Sequence, residues 1–451
     1  MRTSFAFLLT AAVFMPANSP TLAQPSETGG LEPPQWVAAS SELPKAEVTL
    51  DQAITRALQL NSSLAAGTYA VSAAEARVIQ AGLLPNPALE LEAEKFGGSG
   101  DLDGFNAAES TAVISQRIPL GGKRGRRRAV AESEHMLAGR DLEAVRLDVT
   151  SGTTAAFYRV LAAQQREALA DEFLGLAERF AHTVQARVDA GKVSPVEATR
   201  ASIEVARARV RLARAERELE AERALLAATW GSSTVAFDQA VGELPEPKSP
   251  PTLGQLRLLL MDAPEIIRLE DQIERQRSVL EFEKSLRIPD LTVSIGPRRF
   301  EVTGQSAWVA GLSLPIPIFD RNQGSRRTAE FEVEGARLDA KAVRVALETE
   351  LAAALERLHA AAQEATTMGR EIVPGANVAF AATETGYSEG KFGFLDVLDA
   401  QRALFEARSL LVDSREEYAV TLTVLERLIG RPTVPQTGAA PGGHDSSQGE
   451  K

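Results

Sequence analysis

Residues 190–194, Ala190-Gly191-Lys192-Val193-Ser194, interrupt a long run rich in Ala, Leu, Glu and Arg, and Glu389-Gly390-Lys391-Phe392-Gly393 interrupts a second such run 199 positions later. A Gly between two helix-forming runs reads as a helix C-cap and a reversal of the chain. The same offset of 199 separates Gly231 from Gly430, so the interval from each Gly-Lys turn to each closing Gly is identical. Upstream, Ser115-Gln116-Arg117-Ile118-Pro119 is answered by Ser313-Leu314-Pro315-Ile316-Pro317, and Asn86-Pro87 by Pro289-Asp290 with a small drift in offset. One plan of about 200 residues is therefore used twice.

Each copy reads as an Ala/Leu-rich helix (about 49–82, then about 252–286), two short strands, a very long helix (about 124–189, then about 325–388), the tight turn, and a last helix (about 194–229, then about 394–429). Pro85, Pro87 and Pro289 stop the first helix of each copy, and Gly430-Arg431-Pro432 stops the last. At about 1.5 Å per residue the long helix spans on the order of 100 Å, and the two shorter helices roughly 50 and 55 Å. Stacked end to end, the short pair matches the long helix, and the chain offers four columns of equal height. The last helices carry 3,4-spaced seams, Ala198, Ala201, Val205, Ala208, Leu212, Ala215 and Leu219, then Val397, Ala400, Leu404, Ala407, Leu411, Ser414 and Tyr418. Such seams predict close, left-handed coiled-coil packing. Gly175 and Pro374 stand at one equivalent point of the long helices, where a bend is expected.

Residues 88–95, Ala-Leu-Glu-Leu-Glu-Ala-Glu-Lys, alternate apolar and charged side chains, as a strand with one wet and one greasy face requires. A second strand is expected over about 108–118, a third from Leu291 to Ile295 and a fourth from Trp308 to Leu314. Four strands cannot enclose a lumen, and open edges in hydrocarbon leave backbone groups unpaired at several kcal/mol each. The chain must then oligomerise. A cyclic trimer would pool its strands into one closed barrel of about 12, giving a mainly helical protein with a small membrane β-barrel portion.

The boundaries that follow are a signal peptide at 1–23, an extended N-terminal segment at 24–48, a first copy at 49–235 with strands about 88–118, a linker at 236–251, a second copy at 252–432 with strands about 290–316, and a disordered tail at 433–451. Arg2, the apolar Phe5 to Met15 and Thr21-Leu22-Ala23 carry the signal reading. The 451 residues include no cysteine, which excludes disulfides, thiolate chemistry and a lipid-bearing N-terminal Cys. A net charge of −12 disfavours a nucleic-acid partner. His135, His182, His359 and His444 lack ligand spacing, so no metal site, cofactor or catalytic group is expected. Where the strands end, positive charge gathers at Lys123, Arg124, Arg126, Arg127 and Arg128, answered by Arg321, Arg326 and Arg327. Two readings of that cluster stand: a membrane-interface contact to lipid phosphates, or a solvated helix start.

Ile114-Ser115-Gln116-Arg117-Ile118-Pro119-Leu120-Gly121-Gly122-Lys123, the duplicated Gly-Lys turns, and Gly386-Tyr387-Ser388-Glu389-Gly390 running into Leu395-Asp396-Val397-Leu398-Asp399-Ala400-Gln401 resemble TolC-type outer-membrane efflux proteins. Ile288-Pro289-Asp290-Leu291-Thr292-Val293 and the run from Leu314 to Gly324 are similar to the heavy-metal, CzcC-like branch. The resemblance implies a homotrimeric exit duct in the outer membrane of a Gram-negative bacterium, with its helices in the periplasm. It also implies a periplasmic adaptor protein and a proton-driven inner-membrane pump of the resistance-nodulation-division (RND) class. On that resemblance, Gly191, Lys192, Val193 and Ser194, with Gly390, Lys391, Phe392 and Gly393, are the adaptor-docking turns; as bare residues they read equally as turns alone. Alignment through Gly386-Tyr387 puts Glu384 at one position of the family's acidic gate rings and Ala381 at the other, leaving Glu389 as a substitute. A drug or type I protein-secretion duct is the alternative within the family, and a trimeric coiled-coil surface protein a distant one.

Overall fold

The structure, a computed structural model, describes residues 47–432. The signal peptide, nearly all of the 24–48 segment, the tail and His444 lie outside the described residues. In chain order the elements are β1 (Glu47–Thr49), α1 (Leu50–Leu60), α2 (Ser62–Ala81), β2 (Ala88–Glu94), β3 (Glu109–Ile118), α3 (Lys123–Asp189), α4 (Pro195–Thr229) and β4 (Gln239–Val241). The second half adds α5 (Leu253–Met261), α6 (Pro264–Ser285), β5 (Leu291–Phe300), β6 (Gln305–Ser313), α7 (Gln323–Thr367), a π turn (Met368–Ile372), α8 (Val373–Ser388) and α9 (Phe394–Ile429).

The first helix of each copy, expected to be continuous, is broken. Asn61 ends α1, and its side-chain oxygen accepts from the Ser63 and Leu64 N–H groups at 2.8 and 3.3 Å, capping α2. The Asn61 amide also donates to the Thr229 carbonyl at 2.8 Å, so α4 ends against the joint between α1 and α2. In the second copy Asp262-Ala263 makes the break, Pro264 starts α6, and Gly430 at the end of α9 lies so close that a Cβ there would sit 2.5 Å from Pro264 Cδ. Each short helix thus abuts another across a joint, capped by the Asn61 side chain in the first copy and begun by Pro264 in the second.

The 236–251 stretch, read as linker, holds β4, which pairs in parallel with β1: Glu47 with Gln239, Val48 with Ala240, Thr49 with Val241. The Gln164 side chain clamps the pair by donating to the Ala240 carbonyl at 3.0 Å and accepting from the Ala240 N–H at 2.8 Å. Phe157, Val160, Leu161, Trp230 and Phe237 form the buried core beneath. Gly175 does not interrupt α3, because a helical Gly costs propensity without removing a hydrogen bond. Pro374 lacks an N–H and crowds the preceding carbonyls, and the chain absorbs this in the π turn just before it.

The spine is α3. Its N-terminal half lies between α2 and α6, where a Cβ on Gly67 would meet Leu142 at 2.9 Å and Arg140 pairs with Asp271 at 2.9 Å. Its C-terminal half lies between α4 and α9, where Glu178 meets Arg209 at 2.8 Å and Glu172 meets Arg408 at 2.7 Å. On the far side α7 packs on α6 and α9, and α8 on α9. Of the two seams, Ala201, Ala208, Ala215, Leu219, Val397, Leu404, Ala407, Ser414 and Tyr418 are buried.

The strands form one antiparallel sheet in the order β2-β3-β5-β6. Register puts Leu89, Ile114, Ile295 and Ala310 in one row, and Leu91, Leu312 and Trp308 share their face at 73, 77 and 78 % exposure. Glu90, Glu92, Glu94, Ser115, Arg298 and Ser313 alternate onto the other face. On that polar face Arg298 donates to Thr111 Oγ1 at 2.9 Å and meets Glu109 and Glu94 at 3.4 and 3.6 Å. Gly296 is needed where β3 and β5 touch, since a Cβ would fall 1.8 Å from the Ala112 carbonyl oxygen. The outer edges of β2 and β6 have no partner strand among the described residues.

Candidate functional site

Both Gly-Lys turns close in one way. The Gly191 N–H donates to the Val188 carbonyl at 2.8 Å and the Lys192 N–H to Arg187 at 2.9 Å; Gly390 donates to Tyr387 at 3.0 Å and Lys391 to Gly386 at 2.7 Å. These are paired Schellman caps, with Gly191 and Gly390 at φ +67° and +79°. Ser194 then caps α4 by accepting from the Val196 N–H at 3.3 Å, and Asp396 caps α9 by accepting from Gly393 at 2.7 Å. Phe392 is 46 % exposed with its ring against Gly386, where a Cβ would lie 2.2 Å from Cδ2. Lys391 reaches back to Glu389 at 2.6 Å, and Glu384 and Val193 are exposed and half-buried respectively.

What holds the two turns together was not singled out from sequence. Arg187 donates to the Tyr387 carbonyl and lies 4.3 Å over the Tyr387 ring. The Tyr387 hydroxyl donates to Glu197 at 3.4 Å, and burial, then the Glu197 charge, push its pKa up. Phe180 lies between Tyr387 and Phe394, tilted 59° against the first at a centroid distance of 5.2 Å and stacked on the second at 5.6 Å. Tyr387 lies inside the motif that carried the resemblance, whereas Arg187 and Glu197 have no answering Arg or Glu 199 residues on, and no spacing rule points to them. Farther along the bundle, buried Glu204 on α4 accepts from Arg207 at 2.6 Å and from Arg402 on α9, tying the two copies across α3.

At the strand ends the basic cluster is already occupied. Arg124 donates to the Gly82 carbonyl, and Arg127 to those of Ala81 and Leu83 at 2.8 Å each, so both satisfy the last turn of α2. Arg126 reaches α6, meeting the Glu281 carbonyl and carboxylate at 2.6 and 2.9 Å. Lys123 pairs with Asp290 at 2.5 Å, largely out of solvent. Arg128 pairs with Glu132 at 2.9 Å and Arg326 with Glu330 at 3.4 Å, each within its own helix, and Arg327 lies 5.2 Å over Phe331. Among the described residues no group of three or more His, Cys, Asp or Glu is arranged to hold a metal ion, and no helix is long and apolar enough to cross a membrane.

The family described as outer membrane efflux protein matches the chain twice, over residues 53–232 and 256–431. The cobalt-zinc-cadmium resistance protein CzcC of Cupriavidus metallidurans is 34 % identical over 384 residues, covering 85 % of this chain and 90 % of that protein. The nickel-cobalt-cadmium resistance protein NccC of Alcaligenes xylosoxydans xylosoxydans is 28 % identical over 321 residues, 70 % of this chain and 72 % of that one. Among solved structures, CusC, described in terms of folding and transmembrane channel formation, superposes with a TM-score of 0.73 at 19 % identity, covering 85 % of this chain and 92 % of that one. The two family matches fall one on each copy of the internal plan, and the chain belongs to the outer membrane efflux protein family.

Proposed function

We propose that the protein is the outer-membrane exit duct of a tripartite efflux system for divalent heavy-metal cations. It works as a homotrimer, its helices in the periplasm, receiving cargo from an inner-membrane RND pump through a periplasmic adaptor. The observation that carries this reading is the 34 % identity to CzcC across nearly the full length of both proteins. The fold supports it: among the described residues no further strand pairs with the outer sheet edges, and α2, α4, α7 and α8 stand at the margins of the helix layer, open to other chains. On α7, Phe331, Leu338 and Val345 recur every seven residues at 62, 68 and 58 % exposure, a stripe suited to a helix of a second copy.

Conduction is passive and needs no catalytic group or cofactor. The turns at 191–194 and 390–393 present exposed glycine backbone for an adaptor hairpin, and Glu384 and Glu389 are the gate candidates. Among the described residues Arg128, Arg326 and Arg327 have no carbonyl of another helix as a partner and remain the candidates for lipid phosphate, while Arg124, Arg126 and Arg127 bond neighbouring helices first. Metal-sensitivity profiling of a deletion strain tests the cargo. Lowered tolerance to cobalt, zinc, cadmium, copper or nickel, restored by the gene, is expected. Unchanged tolerance with lost drug or protein export would reject metal in favour of the other ducts of the family.

A further inference from the structure

The internal repeat supplies a template for the seam between chains. Within the chain, copy one meets copy two through β3 with β5, α3 with α6 and α3 with α9. The elements equivalent to the first partner of each pair are β6, α7 and α8, and those equivalent to the second are β2, α2 and α4. These are the elements that carry the free edges and outward faces.

Register converts this into residue pairs. Sequence equates Ser115 with Ser313, hence Ile114 with Leu312. Because Leu89 faces Ile114 and Val293 faces Leu312, Leu89 is equivalent in the sheet to Val293, one residue beyond the offset between Asn86 and Pro289, and Leu91 to Ile295. Inside the chain Ile114 faces Ile295. We infer that in the assembled channel Leu312 of β6 faces Leu91 of β2 in the next copy, with Ala310 opposite Ala93 and Gly311 opposite Glu92. The inference rests on the reading of the chain as one subunit of a closed channel.

In this register Leu312 and Leu91 keep to the same apolar face, whereas a slip of one residue would set Leu312 against a glutamate of β2. Two features agree with it without having been used to obtain it. The row through Leu89, Ile114, Ile295 and Ala310 re-enters the next copy at Ala93, four residues along. That is about 13 Å of shift across about 19 Å of sheet, a strand tilt of about 35°, inside the range of membrane barrels. Finally, the close approach at Gly296, opposite Val113, becomes Glu92 opposite Gly311, so the seam keeps one residue without a Cβ.

The lack of cysteine makes the test free of background. The full-length protein carrying Leu312→Cys with Leu91→Cys is oxidised in outer membranes beside Leu312→Cys with Leu89→Cys and Leu312→Cys with Ala93→Cys. Ala310→Cys paired with Ala93→Cys, Leu91→Cys or Lys95→Cys is a second set, and Ile114→Cys with Ile295→Cys is the intrachain control of equal geometry. Directly opposed residues bring Cβ atoms within bridging range and diagonal ones do not, so interchain product should be about fivefold or more greater for Leu312 with Leu91 and for Ala310 with Ala93. Stronger product from a shifted pair would overturn the register while leaving the closed channel standing. No interchain product from any pair, with the control formed, would remove both.

Discussion

Gly386 and Gly390 are both fixed, for different reasons: the second turns the chain at φ +79°, and the first makes room for the Phe392 ring. Gly386→Ala should expel Phe392 toward solvent at a cost of about 1 kcal/mol, the low end for overpacking because the ring is free to swing outward. Faster proteolysis confined to the 387–393 turn, with little change in overall melting, would show it. Glu222 on α4 is a second informative residue, since its Oε2 is buried with no hydrogen-bond partner among the described residues. Burial raises its pKa, and the nearby Arg159 only partly offsets this. A carboxyl with a raised folded pKa burdens the fold when ionised, and the burden is relieved as pH falls through that value. Glu222→Gln should therefore raise the melting temperature at pH 7.5 and shrink the gain seen on mild acidification; a lowered melting temperature at pH 7.5 would contradict the assignment. Sequence reading found the glycines, because a left-handed cap has a residue preference. It missed Arg187 and Glu197, because a guanidinium over a ring depends on which side chains two distant helices bring together.

Among the elements, the long helices and hairpins were legible because each repeats a pattern over many residues, and because the second copy repeats the first. The three-residue strands β1 and β4 were not, since their pairing is held by Gln164 and rests on Phe157, Val160 and Leu161, all more than seventy residues from either strand in sequence. The breaks at Asn61 and Asp262 were missed because an apolar pattern continues through a joint when both sides rest on one neighbour, here α3 or α7. The alternation in β2 did translate into a face: Glu90, Glu92 and Glu94 stand together opposite Leu89, Leu91 and Ala93. In the channel reading those carboxylates face the lumen. Replacing all three with Gln should shift the reversal potential in an asymmetric-salt bilayer toward lower cation preference while leaving trimer yield unchanged. A shift in the opposite sense would place these side chains elsewhere.

For the whole molecule, the seam inside the chain and the seams left for other chains differ in chemistry. The internal one is stitched by Arg126–Glu281, Arg140–Asp271, Arg268–Asp141 and Arg275–Glu134 between α3 and α6, and by Arg408–Glu172 and Arg427–Asp148 to α9. Exposed ion pairs contribute about 0–1 kcal/mol each and weaken with salt, so they serve orientation more than cohesion. The outward stripe of α7 is apolar, and apolar burial does not weaken with salt. Leu338→Asp with Val345→Asp should leave helix content intact while abolishing trimers on native gels, and wild-type trimers should survive molar salt. Trimers that dissociate in salt would move the cohesion back to charge. The joints at Asn61 and Pro264 have a mechanical consequence. A continuous helix transmits twist along its hydrogen-bond ladder, but two of the four columns are cut at mid-height and a third, α7–α8, contains a π turn. Among the described residues only α3 runs unbroken from the strand end to a Gly-Lys turn. In the channel reading, twist applied at the turns reaches the sheet through one unbroken shaft per subunit, while the interrupted columns pass on less of it.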